Sequence, residues 1–238
     1  MGTSASNEPR LAVVTGASSG IGRAIALRLL AGGWQVLGLD RAAADIEHPG
    51  FSSRAIDLLD GEATEALARS VFGAEQVPAA LVHAAGTLHT ARLGELDAAA
   101  GHAMWALHVD AATRMANIAL PRMAAAGRGR VLLIGSRVAR GMAGRSQYAA
   151  VKAALPALAR SWAAEVVANG VTVNVISPAA TATAMLADPA RSSTPPKLPP
   201  IGRLIEPAEV AALAAFLLSD EAAAITGQDI QVCGGASL

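Results

Sequence analysis

The apolar run Leu11-Ala12-Val13-Val14 leads directly into Thr15-Gly16-Ala17-Ser18-Ser19-Gly20-Ile21-Gly22. A helical pattern from Arg23 to Ala31 follows, closed by Gly32-Gly33. No other stretch narrows the fold so far. A short, apolar, β-branched run reads as a buried parallel strand. A strand, a glycine turn and a helix in that order give the setting a dinucleotide pyrophosphate requires, with free backbone amides at the helix N-terminus. Gly16 permits the tight turn, Gly20 lets the backbone approach the phosphates, and Gly22 lets the helix pack on the strand. Ser18, Ser19 and Ile21 complete the candidate phosphate-binding turn. The spacing is G-x-x-x-G-x-G, so the common G-x-G-x-x-G fingerprint is not matched.

The rest of the chain repeats this alternation. Strand-like runs fall at 11–15, 35–39, 54–57, 79–83, 130–135, 171–176 and 228–232, with helical runs at about 21–31, 62–72, 95–125, 148–168 and 207–218. The pattern predicts an α/β fold: a single Rossmann-type, doubly wound domain over 11–238, with about seven parallel strands and helices on both faces. The segment from Arg41 to Arg54 contains Pro49-Gly50 and is too short for a full helix, so that crossover is expected to be abbreviated. Residues 1–10 are polar and lack the apolar centre of a secretory signal, and read as a disordered lead-in. The proline-rich stretch at about 186–202 follows the sixth strand on the carboxyl side of the sheet, where ligands bind, and reads as a substrate lid.

Two further features carry chemistry. The second strand ends in Asp40, placed to accept hydrogen bonds from the adenosine ribose and to repel the extra phosphate of NADP. Arg41 follows and is the residue that would receive such a phosphate; the turn holds no Arg or Lys before Arg23, so NAD is favoured. Tyr148, the only Tyr in the chain, stands four residues before Lys152. That spacing places both on one helix face. A nearby ammonium stabilises a phenolate and draws the phenol pKa down from about 10. The pair is therefore suited to proton transfer at an alcohol oxygen.

With these features together the chain resembles the short-chain dehydrogenase/reductase family, from about Leu11 to Gly235. Thr15-Gly16-x-x-x-Gly20-Ile21-Gly22 is similar to its cofactor turn, and Ser136, Tyr148 and Lys152 to its catalytic residues, with Ser twelve positions before Tyr. Asn174-Val175-Ile176-Ser177-Pro178, Glu206-Pro207-Ala208-Glu209-Val210 and Ile225-Thr226-Gly227-Gln228 resemble later family segments. The resemblance implies that Tyr148 is the general acid/base, that Lys152 lowers its pKa and binds the nicotinamide ribose, and that Ser136 bonds the substrate oxygen. It also implies that Asp57 and Leu58 lie near the adenine, Ala84, Ala85 and Gly86 along the adenosine, and Pro178, Thr181 and Thr183 near the nicotinamide. A homo-oligomer, commonly a tetramer, is implied too, with the apolar segment Ile225 to Leu238 as interface.

Departures from the family pattern are specific. His83-Ala84-Ala85-Gly86 stands where Asn-Asn-Ala-Gly is common, so any Asn side-chain role there is lost. His108, thirteen positions before Pro121, falls on the family's fourth catalytic position, normally Asn. It either supplies only a backbone carbonyl or relays protons through its imidazole; the backbone role is favoured. Pro178-Ala179 replaces Pro-Gly, and Cys233 replaces an Asp. No metal site is predicted, because no His pair shows supporting ligand spacing. His48, His89 and His102 read as surface residues. Arg137 and Arg140, just after Ser136, leave room for an anionic group on the substrate.

Formal net charge is zero, with 19 basic and 19 acidic residues, which gives no electrostatic case for nucleic acid or anionic membranes. One Cys excludes an internal disulfide and suits a cytoplasmic location. The expected activity is NAD-dependent interconversion of a secondary alcohol and a ketone. The rivals are an NADP-linked β-ketoacyl (3-oxoacyl) thioester reductase, a cyclic dihydrodiol dehydrogenase, and a non-catalytic NAD-binding sensor.

Overall fold

The computed structural model describes residues 9–187 and 197–238. Seven strands form one parallel sheet: β1 (Leu11–Thr15), β2 (Gln35–Asp40), β3 (Phe51–Ala55), β4 (Ala80–His83), β5 (Gly129–Ile134), β6 (Val171–Pro178) and β7 (Asp229–Val232). Their spatial order is β3-β2-β1-β4-β5-β6-β7, and every neighbouring pair is parallel. The chain moves outward from β1 in one direction, then returns to β4 on its other side. A crevice opens at the carboxyl ends of β1 and β4, where that reversal occurs.

The helices are α1 (Gly20–Ala31), α2 (Gly61–Phe72), α3 (Ala98–Trp105), α4 (Ala111–Ala125), α5 (Ser146–Val166), the single turn α6 (Ala184–Ala187) and α7 (Pro207–Leu217). Strand alternation divides the core in two. Val13, Leu39, Leu81, Val131, Leu133, Val173 and Val175 face α2, α4 and α5. Ala12, Val14, Val36, Val82, Leu132 and Ile176 face α1 and α7. Both faces of the sheet are covered, as the near-continuous apolar strands predict. No helix of the described residues is long and apolar enough to cross a membrane.

Two local differences from the sequence expectation have identifiable causes. The third strand runs over 51–55 rather than 54–57, because Phe51 packs against Gly38 of β2, where a Cβ would come within 2.8 Å of the Phe51 ring. The crossover between β2 and β3 is abbreviated as expected and contains no helix. The helical run expected over 95–125 starts at Asp97, whose carboxylate caps the amides of Ala99 and Ala100, and is interrupted by a π-helical turn over Ala106–Asp110. Of the expected lead-in, residues 1–8 lie outside the described residues, as does 188–196 of the expected lid. The base of the latter segment is fixed: Ala182 donates to the Ile205 carbonyl at 2.9 Å, and Ile205 donates to Ala180 at 2.9 Å.

Candidate active site

A cavity of about 920 Å³ occupies the crevice. It is lined by the whole glycine turn (Gly16, Ser18, Ser19, Gly20, Ile21 and Gly22), by Asp40, Arg41, Asp57 and Leu58, and by Ala84, Ala85 and Gly86. Pro178, Thr181 and Thr183 lie along it after β6, with Ser136, Tyr148, Lys152 and His108 around the inner wall. The candidate catalytic and cofactor-binding residues from the sequence thus meet in one space. Arg140 does not line it, although Arg137 does.

The turn is built for close backbone approach. Gly16 has φ 70°, and a Cβ there would come within 2.8 Å of the Ala85 amide nitrogen. A Cβ on Gly22 would overlap the Gly16 carbonyl, so α1 meets the turn only through glycine. Gly20 has φ 53° and faces Thr183, whose methyl would lie 3.3 Å from an added Cβ. The open amides at the start of α1 are suited to a pyrophosphate.

At the end of β2, Asp40 is fixed by its neighbours. Ser18 donates to Oδ2 through its hydroxyl at 2.6 Å and its amide at 3.1 Å, and the Ala42 amide donates to Oδ1 at 3.2 Å. Partial burial opposes ionisation, but the Ser18 hydroxyl and amide outweigh it, with the Ala42 and Arg41 amides adding to them. The carboxyl is held below the usual carboxylate range. A fixed anion therefore stands beside the phosphate turn. Asp57 is exposed at the cavity edge and accepts from the Leu59 amide at 3.0 Å; Leu58 is buried beside it.

Thr15 links the two sides of the crevice, a role that its place in the turn motif did not reveal. The amides of Ala84 and Ala85 donate to its Oγ1 at 3.1 and 3.0 Å, and His83 Nδ1 lies 3.1 Å from the same oxygen. Two incoming donors occupy the lone pairs of Oγ1, so its own proton goes to Nδ1. His83 is therefore the neutral Nε2–H tautomer, donating to the Leu107 carbonyl at 3.0 Å. Burial, with the positive charge of Lys152 adding to it, pushes the imidazole down to about 4; the bond to Leu107 acts the other way. The side chain that replaces the family Asn thus ties β1 and β4 to the π-helical turn.

His108 lies within that turn and is almost fully buried. Its Nε2 is 2.8 Å from the Thr87 carbonyl and 3.0 Å from the Thr87 amide nitrogen. As an Nε2–H donor to the carbonyl, the ring keeps Nδ1 as a buried acceptor with no partner among the described residues. The ring stands edge-on to Tyr148, with centroids 5.9 Å apart. Burial first, then Lys152, hold its pKa well below the ordinary value. Gly86 is the only residue type that clears it, since a Cβ there would enter the imidazole.

Ser136 follows β5 in extended conformation, and its Oγ accepts from the Val138 amide at 3.2 Å, which leaves the hydroxyl proton to donate elsewhere. Tyr148 and Lys152 lie on the first turns of α5 and are both buried. Lys152 Nζ donates to the Ile134 carbonyl at 2.6 Å and lies 5.7 Å from the Tyr148 ring centroid. Burial pushes the Lys152 ammonium down to about 7.

A Rossmann sheet with a glycine turn, a carboxylate after β2 and a buried Ser, Tyr and Lys around one crevice defines a nicotinamide-dependent oxidoreductase. The family model described as Enoyl-(Acyl carrier protein) reductase matches residues 16–237. The chain is 36% identical to the 3-oxoacyl-[acyl-carrier-protein] reductase FabG of Vibrio harveyi, over 96% of this chain and 97% of that protein. It is 38% identical to the cis-4-hydroxycyclohexanecarboxylate dehydrogenase of Sinomonas cyclohexanicum, over 95% of this chain and 96% of the relative. A solved short chain dehydrogenase/reductase family protein superimposes with TM-score 0.86 at 35% identity, covering 97% of this chain and 98% of that one. A variant actinorhodin polyketide ketoreductase solved with NADPH does so with TM-score 0.87 at 26% identity, covering 98% of this chain and 99% of the other. The chain belongs to the short-chain dehydrogenase/reductase family. It is an oxidoreductase that acts on alcohol or keto groups with a nicotinamide dinucleotide.

Proposed function

We propose that the protein interconverts a secondary alcohol and a ketone with NAD as its preferred cofactor. The observation that carries the chemistry is the convergence of Ser136, Tyr148 and Lys152 on one cavity with the glycine turn. The turn and Asp40 fit the pyrophosphate and adenosine ribose of the dinucleotide, whose nicotinamide supplies the hydride acceptor or donor. In oxidation, Tyr148 as phenolate takes the hydroxyl proton of the substrate. Lys152 and Tyr148 act as a coupled pair: a phenolate draws Lys152 back to its charged form as much as the ammonium favours the phenolate. Ser136 donates to the substrate oxygen and holds it within reach of Tyr148. His108 contributes through the wide helical turn it occupies, not by titrating, because its imidazole is kept neutral throughout the neutral pH range.

Support for NAD comes from Asp40. A carboxylate held ionised by Ser18 at the end of β2 repels a phosphate on the ribose. The NADPH carried by the ketoreductase structure is a property of that protein. A homo-oligomer in the cytoplasm, with the half-buried segment after Ile225 at its interface, completes the reading.

Tyr148→Phe tests the mechanism. It removes one hydroxyl, so cofactor binding measured by nicotinamide fluorescence should persist while turnover falls about a hundredfold or more. Near-normal turnover would refute the assignment of Tyr148. Protein that binds no nicotinamide cofactor would refute the whole reading.

A further inference from the structure

The acids lining the crevice lie on one side of it, where Arg41 also stands. Both acids on its wall, Asp40 and Asp57, follow β2 and β3 at one side of the sheet. On the side beyond β4 and β5, where Ser136, Tyr148 and Lys152 stand, the lining also carries Arg92, Arg137 and Arg145 and no acid among the described residues. Leu88, Val138 and Met142 add apolar surface to the same part of the lining.

Arg137 is the informative member. It opens the 3-10 turn over Arg137–Arg140, directly after Ser136, and is half-buried. Among the described residues its guanidinium has no hydrogen-bond or ion-pair partner, whereas Arg130, Arg122 and Arg203 each find carbonyl or carboxylate acceptors. The Arg137 guanidinium is thus uncommitted among the described residues and reachable from the cavity, where an anionic ligand group can bond to it. The planar fork of Arg matches a carboxylate or phosphate.

We infer that the substrate carries an anionic group on an apolar body, and that Arg137 receives this group, with Arg92 adding positive potential at the mouth. This rests on the reading above that the substrate occupies the space beside Ser136 and Tyr148. The anion is either the carboxylate of a small acid or the phosphate of a carrier-linked pantetheine arm. Both present the same chemistry to Arg137.

Calorimetric titration separates these sources without relying on turnover. Protein already shown to bind NADH is titrated, in its presence, with cyclohexanecarboxylate, cyclohexanecarboxamide, pantetheine 4′-phosphate and pantetheine. At least one anion should bind on the order of tenfold more tightly than its neutral counterpart, as a charge-assisted bond predicts. That preference should shrink in Arg137→Gln and persist in Arg140→Gln, which alters an exposed arginine outside the cavity. A preference confined to the carboxylate identifies a small acid, and one confined to the phosphate identifies a carrier arm. Equal binding of charged and neutral partners overturns the inference, as does no binding of either anion at millimolar concentration. A preference that survives intact in a folded Arg137→Gln protein also overturns it. Absence of NADH binding, by contrast, removes the oxidoreductase reading itself.

Discussion

Lowering the pH should destabilise this protein through His83, and His83→Asn should remove that sensitivity. The imidazole is buried and neutral, receiving the Thr15 proton on Nδ1 and donating from Nε2 to Leu107. Its pKa is pushed down from 6.5 to about 4. In the unfolded chain the imidazole takes up a proton below its free value, while the folded chain does not. The stabilising contribution is therefore complete above the unfolded pKa and is lost as pH falls towards the folded one. A separation of about 2.5 units at roughly 1.36 kcal/mol each corresponds to about 3 kcal/mol. Urea unfolding of the native protein and of His83→Asn at pH 7.5 and 4.5 measures it. The variant should be less stable at pH 7.5, because Asn is too short to reach both partners. The difference between the two proteins should shrink by roughly 2–3 kcal/mol at pH 4.5. Carboxylates titrate in both proteins and cancel in that comparison. A stability difference that stays constant between the two pH values would refute the assignment of a neutral, doubly bonded His83.

Two further outcomes follow from the site. NADH should bind at least tenfold more tightly than NADPH, and Asp40→Ala should narrow that gap, since it removes the fixed anion that Ser18 orients; tighter NADPH binding by the unaltered protein would contradict the cofactor assignment. His108→Asn should leave turnover within a few-fold and the shape of its pH profile unchanged, because the imidazole is held neutral; loss of an ionisation near neutrality, with stability unaltered, would show that the ring relays protons.

The parts of the site that act locally were legible in the sequence. The glycine turn declares its geometry through residues with no Cβ, and Tyr148 with Lys152 declares a shared helix face through spacing alone. Other features depend on contacts that spacing does not encode. Thr15 acquires its role from Ala84 and Ala85, some seventy residues away. The strand Phe51–Ala55 is largely exposed and gives no apolar alternation, so its limits are set by Gly38 on its neighbour. The wide turn at Ala106–Asp110 has no propensity signature and shows only in the backbone bonds. Arg137 and Arg140 look equivalent in sequence, and only the 3-10 turn directs one into the crevice and the other to solvent.

That wide turn also sets the phase of everything after it. Each residue of an ordinary helix advances the azimuth by about 100°. A single surplus residue absorbed in a π turn therefore reorients the following helix relative to a straight continuation. Upstream, α3 meets the first turn of α5, where Gln147 donates to the Asp97 carbonyl at 2.8 Å. Downstream, α4 presents Ala112, Met115, Ala116, Ala119 and Met123 to the sheet and to α2. Forcing Ala106–Asp110 into a regular helix with the same number of residues would swing that stripe off the core by roughly a quarter turn, whereas removing one residue there would leave its direction nearly unchanged. The five residues around His108 thus act as an angular coupling, letting one long helical rod address two differently oriented packing surfaces.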